Sequence, residues 1–243
     1  MNKNTAIGGY KEEELICNDL NENIILTEQF KNFTNNSELG FFSKIKGNFK
    51  SDISDSTNKC RIQVKKYKDK QFGQIDRHWI DSLILNIDEL KNIEYILKNL
   101  CEIPLKSCGT IVDKSKGRKL LNLKNYSENE LIDFINILNE NKKPILEYVF
   151  KGTNINYQPN YICGVEYQKK FRKQIIIYNI NDVIENLSKF DFSIKNSKSV
   201  ISLNNCFTIQ RKGGDCGKKS SNQIQFKLIF SLLNIKNKCK FIL

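Results

Sequence analysis

The clearest β-strand pattern in the chain is the stretch Cys60-Arg61-Ile62-Gln63-Val64-Lys65. Its apolar and polar residues alternate strictly, and side chains two positions apart along a strand share one face of the sheet. Cys60, Ile62 and Val64 are therefore expected to face a core. Gln63 and Lys65 share the other face, so this strand places an amide and an ammonium group side by side.

Patterns on either side of this strand predict an α/β protein. A helix is expected from Gly8-Gly9, with Glu12, Glu13 and Glu14 in its first turn, and another from Ser127, whose capping box is completed by Glu130. Further helices are expected over residues 74–85, 87–100 and 181–189. Extended segments or strands are expected over residues 41–49, 145–150, 161–167, 174–180, 199–211 and 223–230. With three prolines and no Gly/Ser-rich linker, we expect one domain over residues 1–243, with halves of roughly 1–125 (catalytic) and 126–243 (recognition).

The composition indicates a folded, strongly basic protein. The 243 residues include 39 Lys and Arg against 27 Asp and Glu, a formal charge of +12, with 40% hydrophobic residues. This balance makes nucleic acid the leading class of partner. No segment is apolar enough to cross a bilayer and the N-terminus lacks a signal-peptide core, so a cytoplasmic protein without membrane contact is expected. Eight cysteines without a CxxC pair, and one histidine, favour reduced thiols over a zinc site.

The first group of candidate functional residues is Lys50-Ser51-Asp52, followed after ten residues by Gln63-Val64-Lys65. Hydrolysis of a phosphodiester needs a hard cation held by oxygen ligands and a group that positions or activates water. If Asp52 ends one strand next to the strand of Gln63 and Lys65, then a carboxylate, an amide oxygen and an ammonium group converge on one phosphate. The alternative is a solvent-facing strand beside an ordinary turn.

The second group is the basic, glycine-rich stretch Thr208-Ile209-Gln210-Arg211-Lys212-Gly213-Gly214-Asp215-Cys216-Gly217-Lys218-Lys219. Arg and Lys can donate to guanine O6 and N7, and Asp can accept from cytosine N4. The stretch can therefore read G·C base pairs. The alternatives are a glycine hairpin with solvated charges and a nucleotide-binding loop, although the GxxxxGK[ST] pattern of the latter is missing.

The third group is Phe72-Gly73-Gln74-Ile75-Asp76-Arg77-His78-Trp79. At helical spacing Ile75 and Trp79 point inward, which leaves Gln74, Arg77 and His78 at exposed or boundary positions. Gln74 could enter a DNA groove as a wedge or a hydrogen-bonding finger. The alternative is a capped helix in which His78 is an ordinary satisfied polar group.

Together these segments resemble the small monomeric type II restriction endonucleases that cut within four-base G·C palindromes, most closely the enzyme that recognises GCGC. The matching residues are Lys50-Ser51-Asp52-Ile53, Ile62-Gln63-Val64-Lys65, Gln74-Ile75-Asp76 with His78-Trp79, and Thr208 through Asp215. Weaker similarity covers almost the whole chain. The resemblance implies the PD-(D/E)XK fold, a mixed central β-sheet flanked by helices, in the variant SD-X10-QXK.

The resemblance also implies roles for the catalytic residues. Asp52 would bind the divalent metal, Gln63 would take the place of the usual Glu, and Lys65 would lie beside the scissile phosphate. Glu13 on the first helix would complete the site, so Asp52, Gln63 and Glu13 are the expected metal ligands. The gap between Ser51-Asp52 and Gln63 is shorter than in the relative, which leaves Asp55, in a second Ser-Asp pair, as the alternative ligand to Asp52.

For DNA recognition the resemblance implies insertion of Gln74 from the minor groove, with Arg77 nearby, and base reading by Gln210, Arg211, Lys212 and Asp215 from the major groove. The expected activity is a Mg²⁺-dependent double-strand cut in duplex DNA that leaves 5′ phosphates, with Mn²⁺ as a substitute metal. A methyltransferase that protects the same sites is the implied genetic partner. A monomer is expected, with a weak dimer as the alternative. The competing functions are a repair or nicking nuclease on the same fold and a DNA-binding regulator without catalysis.

Overall fold

The structure is a computed structural model, which describes residues 3–47, 49–68, 73–78, 80–101, 123, 126–195, 200–211 and 223–243. The chain forms two compact units, each assembled from separate segments. The first unit consists of Met1–Gly73, Phe150–Asn186 and Leu233–Leu243, and the second of Gln74–Val149 and Leu187–Leu232. The expectation of one domain with halves 1–125 and 126–243 stays a prediction.

The elements alternate between helices and strands along the chain. The helices are α1 Lys3–Glu22, α2 Ile24–Thr34, α3 Ile80–Asn86, α4 Glu94–Cys101, α5 Glu128–Glu140, α6 Lys142–Lys151 and α7 Ile180–Ser188. The strands are β1 Phe42–Lys44, β2 Ile53–Asp55, β3 Arg61–Lys68, β4 Gly73–His78, β5 Tyr161–Gln168, β6 Phe171–Asn179, β7 Phe192–Ile194, β8 Ile201–Leu203, β9 Phe207–Arg211, β10 Ile224–Leu228 and β11 Cys239–Ile242. Short 3₁₀ helices cover Asp88–Ile93, Ile155–Tyr157 and Phe230–Leu232.

A mixed six-stranded sheet forms the first unit, in the order β1-β2-β3-β5-β6-β11. Strands β3 and β5 are parallel, while the other neighbours are antiparallel. Helix α1 packs on β1 and β3 through Ile16, Cys17 and Leu20, which share one core with Ile62 and Val64. The expected apolar face of β3 is therefore buried under a helix, and the predicted fold class is confirmed.

The second unit contains a five-stranded sheet in the order β4-β10-β9-β8-β7. Its central strands carry side chains that are fully or almost fully buried, such as Phe207, Ile209 and Phe226. The predicted capping box is confirmed on α5, where Ser127 accepts from the Glu130 backbone N–H and the Glu130 carboxylate accepts from that of Ser127. No helix in the described part of the chain is both long and apolar enough to cross a membrane.

The first helix starts earlier than the sequence pattern indicated. It begins at Lys3 rather than at Gly8-Gly9, so Glu12, Glu13 and Glu14 lie in its middle and not in its first turn. Two consecutive glycines weaken a helix without ending it, because each costs only about 1 kcal/mol relative to Ala. The three glutamates consequently point to three different sides of α1 instead of collecting at its N-terminus.

Two secondary-structure predictions are wrong in type. Residues 74–78 belong to strand β4 and not to a helix, since β4 pairs with β10 and a helix begins only at Ile80. Residues 145–150 lie in helix α6 and not in a strand, with Ile145, Leu146, Val149 and Phe150 all buried. Short apolar runs fit either period, and burial by neighbouring elements decides between them.

The predicted strand over residues 199–211 is a β-hairpin of β8 and β9. Asn204 and Asn205 form its turn with φ of 43° and 56°. Asparagine tolerates this left-handed backbone better than most residues, which makes such a pair a turn former. The strands predicted over residues 161–167, 174–180 and 223–230 are confirmed with small changes at their ends, as is the helix near 181–189.

Candidate active site

Asp52 and Lys65 come together at the point where two strands of the first unit separate. Strand β2 pairs with β3 only through Ile53 and Ser54, so the backbone N–H of Val64 lies beyond the end of the ladder. The Asp52 carboxylate accepts a hydrogen bond from this N–H at 2.6 Å, and the Lys65 Nζ lies 3.5 Å from the same oxygen. Both side chains are about one-fifth exposed, so the pair is mostly buried but still accessible to a ligand.

The segment that carries Asp52 is held from the other side by residues that follow α6. Ser51 is buried, and its hydroxyl donates to the backbone carbonyl of Tyr157 at 2.6 Å. The Phe49 ring stacks on the Tyr157 ring with centroids 3.7 Å apart, and Lys50 lies against Gly152, whose φ of +70° favours glycine. These contacts fix the backbone of the Lys50-Ser51-Asp52 motif.

Gln63 lies on the same face of β3 as Lys65, as the alternation predicted. Its side chain is only 3% exposed, and its Oε1 has no hydrogen-bond donor among the described residues. A buried amide oxygen without a donor costs about 1–3 kcal/mol and is uncommon in native proteins. A cation is the chemical partner that such an oxygen can accept in place of a donor.

Glu13 on α1 is close enough to this pair to interact with it electrostatically. Burial and the nearby Asp52 carboxylate raise the pKa of Glu13, while Lys65 and Lys44 act in the opposite direction. Two nearby carboxylates that repel each other are common at cation sites, because a bound cation relieves the repulsion. The role of Glu13 as a cation ligand, which the resemblance implied, stays a prediction.

The oxygen atoms of Asp52, Glu13 and Gln63 fit a hard divalent cation such as Mg²⁺. No group of three or more His, Cys, Asp or Glu side chains suited to a metal occurs among the described residues. The expected ligand set has two carboxylates and one amide, and an amide is not among those four side-chain types. With the Lys65 ammonium beside it, this set can hold a cation and a phosphate together.

The carboxylate of the alternative ligand, Asp55, is already occupied by hydrogen bonds from neighbouring residues. Its carboxylate accepts from the backbone N–H of Cys60 at 2.8 Å and of Gly40 at 3.3 Å, and from the Thr57 N–H and hydroxyl. Burial alone would raise the pKa of Asp55, but these hydrogen bonds lower it below its usual value. The geometry thus favours Asp52 over Asp55 as a cation ligand.

Buried charges next to Glu13 and Lys65 were not singled out from the sequence. Glu12 is 2% exposed and accepts from the Tyr167 hydroxyl, with the Arg172 Nε at 3.2 Å and the Lys66 Nζ at 3.8 Å. Arg172 also pairs with Asp19 on α1. This network anchors α1 to the sheet one residue away from both Glu13 and Lys65, and nothing in the local sequence pattern distinguishes Glu12 from its neighbours.

In the second unit, Gln74 and Gln210 belong to a row of three glutamines. Gln225 on β10 is opposite Gln210 on β9, and its Nε2 donates to the Oε1 of Gln74 on β4. Gln74 is exposed, while Gln210 is half-buried. Sequence reasoning missed Gln225. The signal that could have found it is the predicted pairing of its strand with that of Gln210, which places the two glutamines opposite each other.

His78 occupies a polar network in this unit. Its Nε2 lies 2.8 Å from the Asp76 carboxylate and its Nδ1 lies 3.2 Å from the Tyr148 hydroxyl. Burial, together with the Asp76 charge, raises the pKa of Tyr148. His78 is thus a satisfied polar group on strand β4, as the alternative interpretation had it, and it lies on a strand rather than at a helix start.

The remaining recognition residues are only partly described. Arg77 is half-buried on β4, and the backbone of Arg211 pairs with Ile224 at the end of β9. Lys212 and Asp215 lie outside the described residues, as does Trp79. Their predicted roles stay predictions.

Comparison with known proteins identifies a matching family and a similar solved structure. A sequence model of the family described as R.HinP1I restriction endonuclease matches residues 40–233. The fold is similar to the crystal structure of restriction endonuclease MspI in complex with its cognate DNA, with a TM-score of 0.53 and 12% identity over 83% of this chain and 76% of that one. No curated protein sequence matched.

The family match covers most of the chain, including the Asp52, Gln63 and Lys65 positions and the glutamine row. It favours a site-specific type II deoxyribonuclease over a DNA-binding regulator without catalysis. The chain belongs to the R.HinP1I restriction endonuclease family.

Proposed function

We propose that this endonuclease makes Mg²⁺-dependent double-strand cuts at the palindrome GCGC and leaves 5′-phosphate ends. The observation that carries the proposal is the Gln63 Oε1, buried without a donor among the described residues, next to the paired Asp52 and Lys65. The family match and the resemblance of the recognition segment to the enzyme that reads GCGC support the specificity.

Asp52, Glu13 and Gln63 are the residues proposed to hold the cation. When bound, Mg²⁺ supplies an activated water and stabilises the negative charge that develops during hydrolysis. Asp52 is preorganised for this role because the Val64 N–H fixes its carboxylate. Gln63 is preorganised because its buried side chain has little room to turn away.

Lys65 is proposed to bind the scissile phosphate. Its ammonium lies 3.5 Å from the Asp52 carboxylate, which holds it in place before DNA arrives. A positioned cation stabilises the additional negative charge of the pentavalent transition state. Lys65 can also orient the attacking water, or deprotonate it when the amine is neutral.

Base recognition is proposed for the second unit. Gln210, Arg211, Lys212 and Asp215 would read base edges from the major groove, and Gln74 would insert from the minor-groove side with Arg77 near the backbone. The hydrogen bond from Gln225 supports this role for Gln74, because it holds one end of an otherwise exposed amide. The net charge of +12 favours a large contribution from phosphate contacts.

A monomer is proposed as the acting form, and a methyltransferase of the same specificity as the genetic partner. A restriction enzyme that cuts a four-base site would otherwise cleave the DNA of its own host. Mn²⁺ is expected to replace Mg²⁺, because the proposed ligands are oxygen atoms that both ions accept.

The test is digestion of a fully sequenced plasmid with purified protein and Mg²⁺, with EDTA as the control, followed by mapping of every end. Ends at every GCGC that disappear with EDTA, and that ligate without prior phosphorylation, are expected. Ends at another fixed sequence would overturn the GCGC specificity, and single-strand nicks without double-strand cuts would favour the nicking alternative. Cleavage in EDTA would overturn the metal dependence.

A further inference from the structure

A polar cavity lies in the first unit, next to the start of strand β3. Its volume is about 320 Å³, and three cationic side chains line it: Lys59, Arg61 and Lys151. Among the described residues that line the cavity, none carries a carboxylate. A concave site with this charge selects anions.

The amide side chains in the cavity wall are oriented as donors. The Asn160 oxygen accepts from the Arg61 N–H at 3.0 Å, and the Asn179 oxygen accepts from the Asn181 N–H at 2.8 Å. With their oxygens engaged by the backbone, both side chains can offer a ligand their NH₂ groups. Asn160 also bonds through its backbone to Arg61 and Ile180, which fixes its position.

The start of helix α7 also lies at the cavity, but it adds little to this preference. The helix begins at Ile180, between the lining residues Asn179 and Asn181. Its first two backbone N–H groups already donate to the Asn160 carbonyl and the Asn179 side-chain oxygen, and Asp182 lies in its first turn. The preference of the cavity for an anion therefore comes from the three cations and the two donor amides.

The location of the cavity connects it with the proposed active site. Arg61, Gln63 and Lys65 alternate along β3, so their side chains share one face of the sheet. Arg61 is four residues before Lys65, which is about 13 Å along a strand. Residues 151–158 contribute to the cavity, and Tyr157 in the same segment fixes Ser51 beside Asp52.

We propose that this cavity binds a backbone phosphate of the DNA substrate, a few nucleotides away from the scissile phosphate. Arg61 and Lys151 are its main cationic contacts, and Asn160 and Asn179 donate to the phosphate oxygens. The position relative to the cut rests on the proposed function, while binding of DNA phosphate by the cavity does not. Such a contact sets the register of the duplex on the protein and carries no base specificity.

The first test compares the full-length protein with the Arg61→Gln/Lys151→Gln variant. Binding to a duplex is measured in EDTA at several salt concentrations, with Lys240→Gln, an exposed residue on β11, as the control. The slope of log affinity against log salt is expected to fall by about 0.9 for the lost phosphate contact, equally for duplexes with and without GCGC. The control is expected to keep the wild-type slope. An unchanged slope in a double variant with the wild-type melting temperature would overturn the proposal.

The second test locates the contact with wild-type protein and single methylphosphonate substitutions, which remove the charge of one phosphate at a time. Affinity is expected to fall about tenfold at one position outside the cut site. The double variant is expected to show no further loss at that position, because the two changes remove the same contact. An equal further loss in the variant, or a single sensitive position at the scissile phosphate itself, would contradict the proposal.

The third test separates DNA phosphate from a free anion. Inorganic phosphate is titrated against the wild-type protein and the double variant, in parallel with the salt series. Binding of phosphate that disappears in the variant, without any change in the DNA salt slope, would overturn the proposal in favour of a free-anion site. These experiments use binding in EDTA, so a failure of GCGC cleavage would reject the proposed function and leave their outcome unaffected.

Discussion

The Asp52 carboxylate accepts a hydrogen bond from the backbone N–H of Val64 at 2.6 Å. This bond places Asp52 beside strand β3 at Val64, between Gln63 and Lys65. The side chains of Gln63 and Lys65 leave the strand on the face opposite to that of Val64. The backbone of β3 aligns the carboxylate with the amide and the ammonium group. This relationship places an acidic residue outside the strand next to two polar residues within it.

We expect Lys65→Ala to abolish cleavage and to retain specific DNA binding. Loss of a preorganised charge at the transition state costs at least about 100- to 1000-fold in rate. The measurement is single-turnover cleavage of a GCGC duplex together with fluorescence anisotropy. Lys68→Ala, an exposed lysine of the same strand, is the matched control and should cut normally. A Lys65→Ala protein that cuts at the wild-type rate would refute the assignment.

Asp52→Asn and Asp55→Asn are expected to have opposite effects. Asp52→Asn should lose divalent-cation binding, measured by calorimetry with Mn²⁺, because the remaining amide can accept from Val64 but carries no charge. Asp55→Asn should keep cation binding and lose stability, since four donors are arranged around that carboxylate. The reverse pattern would make Asp55 the ligand.

The acid dependence of stability gives an independent measurement on Asp55. Hydrogen bonds lower its pKa from the ordinary value of 3.8. A lowered pKa contributes stability that is present above 3.8 and is lost as the pH falls through the folded-state value. In urea unfolding, wild type and Asp55→Asn should therefore differ most near neutral pH and converge at the lowest pH. A constant difference across the range would show that ionisation of Asp55 makes no contribution.

Gln63→Met is expected to separate stability from activity. The substitution replaces a buried oxygen that has no donor among the described residues, so the free energy of unfolding should rise by about 1 kcal/mol. Cation binding and cleavage should be lost. Gln225→Met is the matched control at a buried glutamine whose amide donates to the exposed Gln74, and it should lower stability by about 0.5–1.5 kcal/mol. A Gln63→Met protein that is destabilised and still cuts would contradict the proposed role.

Glu12→Ala is expected to destabilise the protein by about 3–5 kcal/mol in urea unfolding, because it leaves Arg172 in a sheltered position with one partner fewer. Lys66→Ala removes the more exposed partner of Glu12 and should cost at most about 1 kcal/mol. Equal losses in the two variants would show that the ion pairs of Glu12 are as weak as those of a surface residue.

Arg211→Ala is expected to lower affinity for GCGC by about 1–3 kcal/mol relative to a duplex with a scrambled site, as loss of a bidentate contact to guanine would. Competition binding against the scrambled duplex measures this difference. An equal loss of affinity for both duplexes would assign Arg211 to the DNA backbone instead of a base.

The sequence by itself determined the core strand, and its resemblance to a known family named the proposed catalytic residues. The alternation over Cys60-Arg61-Ile62-Gln63-Val64-Lys65 required one apolar and one polar face, and burial of Ile62 and Val64 under α1 follows from that pattern. The capping box at Ser127 was equally local, since its two hydrogen bonds involve residues three positions apart. Patterns of this kind are readable because short-range geometry alone decides them.

Only the tertiary structure decided which oxygen atoms meet and which segments pair. Ile75 is compatible with a helix or a strand, and pairing of β4 with β10 selected the strand. Asp52 and Asp55 occupy similar Ser-Asp pairs, and they differ in position. Asp52 lies before the first pair of the β2–β3 ladder, while Asp55 is the last residue of β2 and its carboxylate bonds to Cys60 after the turn that follows. Glu12 and Gln225 acquire their roles from strands distant in sequence, where hydrogen bonding and burial depend on neighbours that no local pattern specifies.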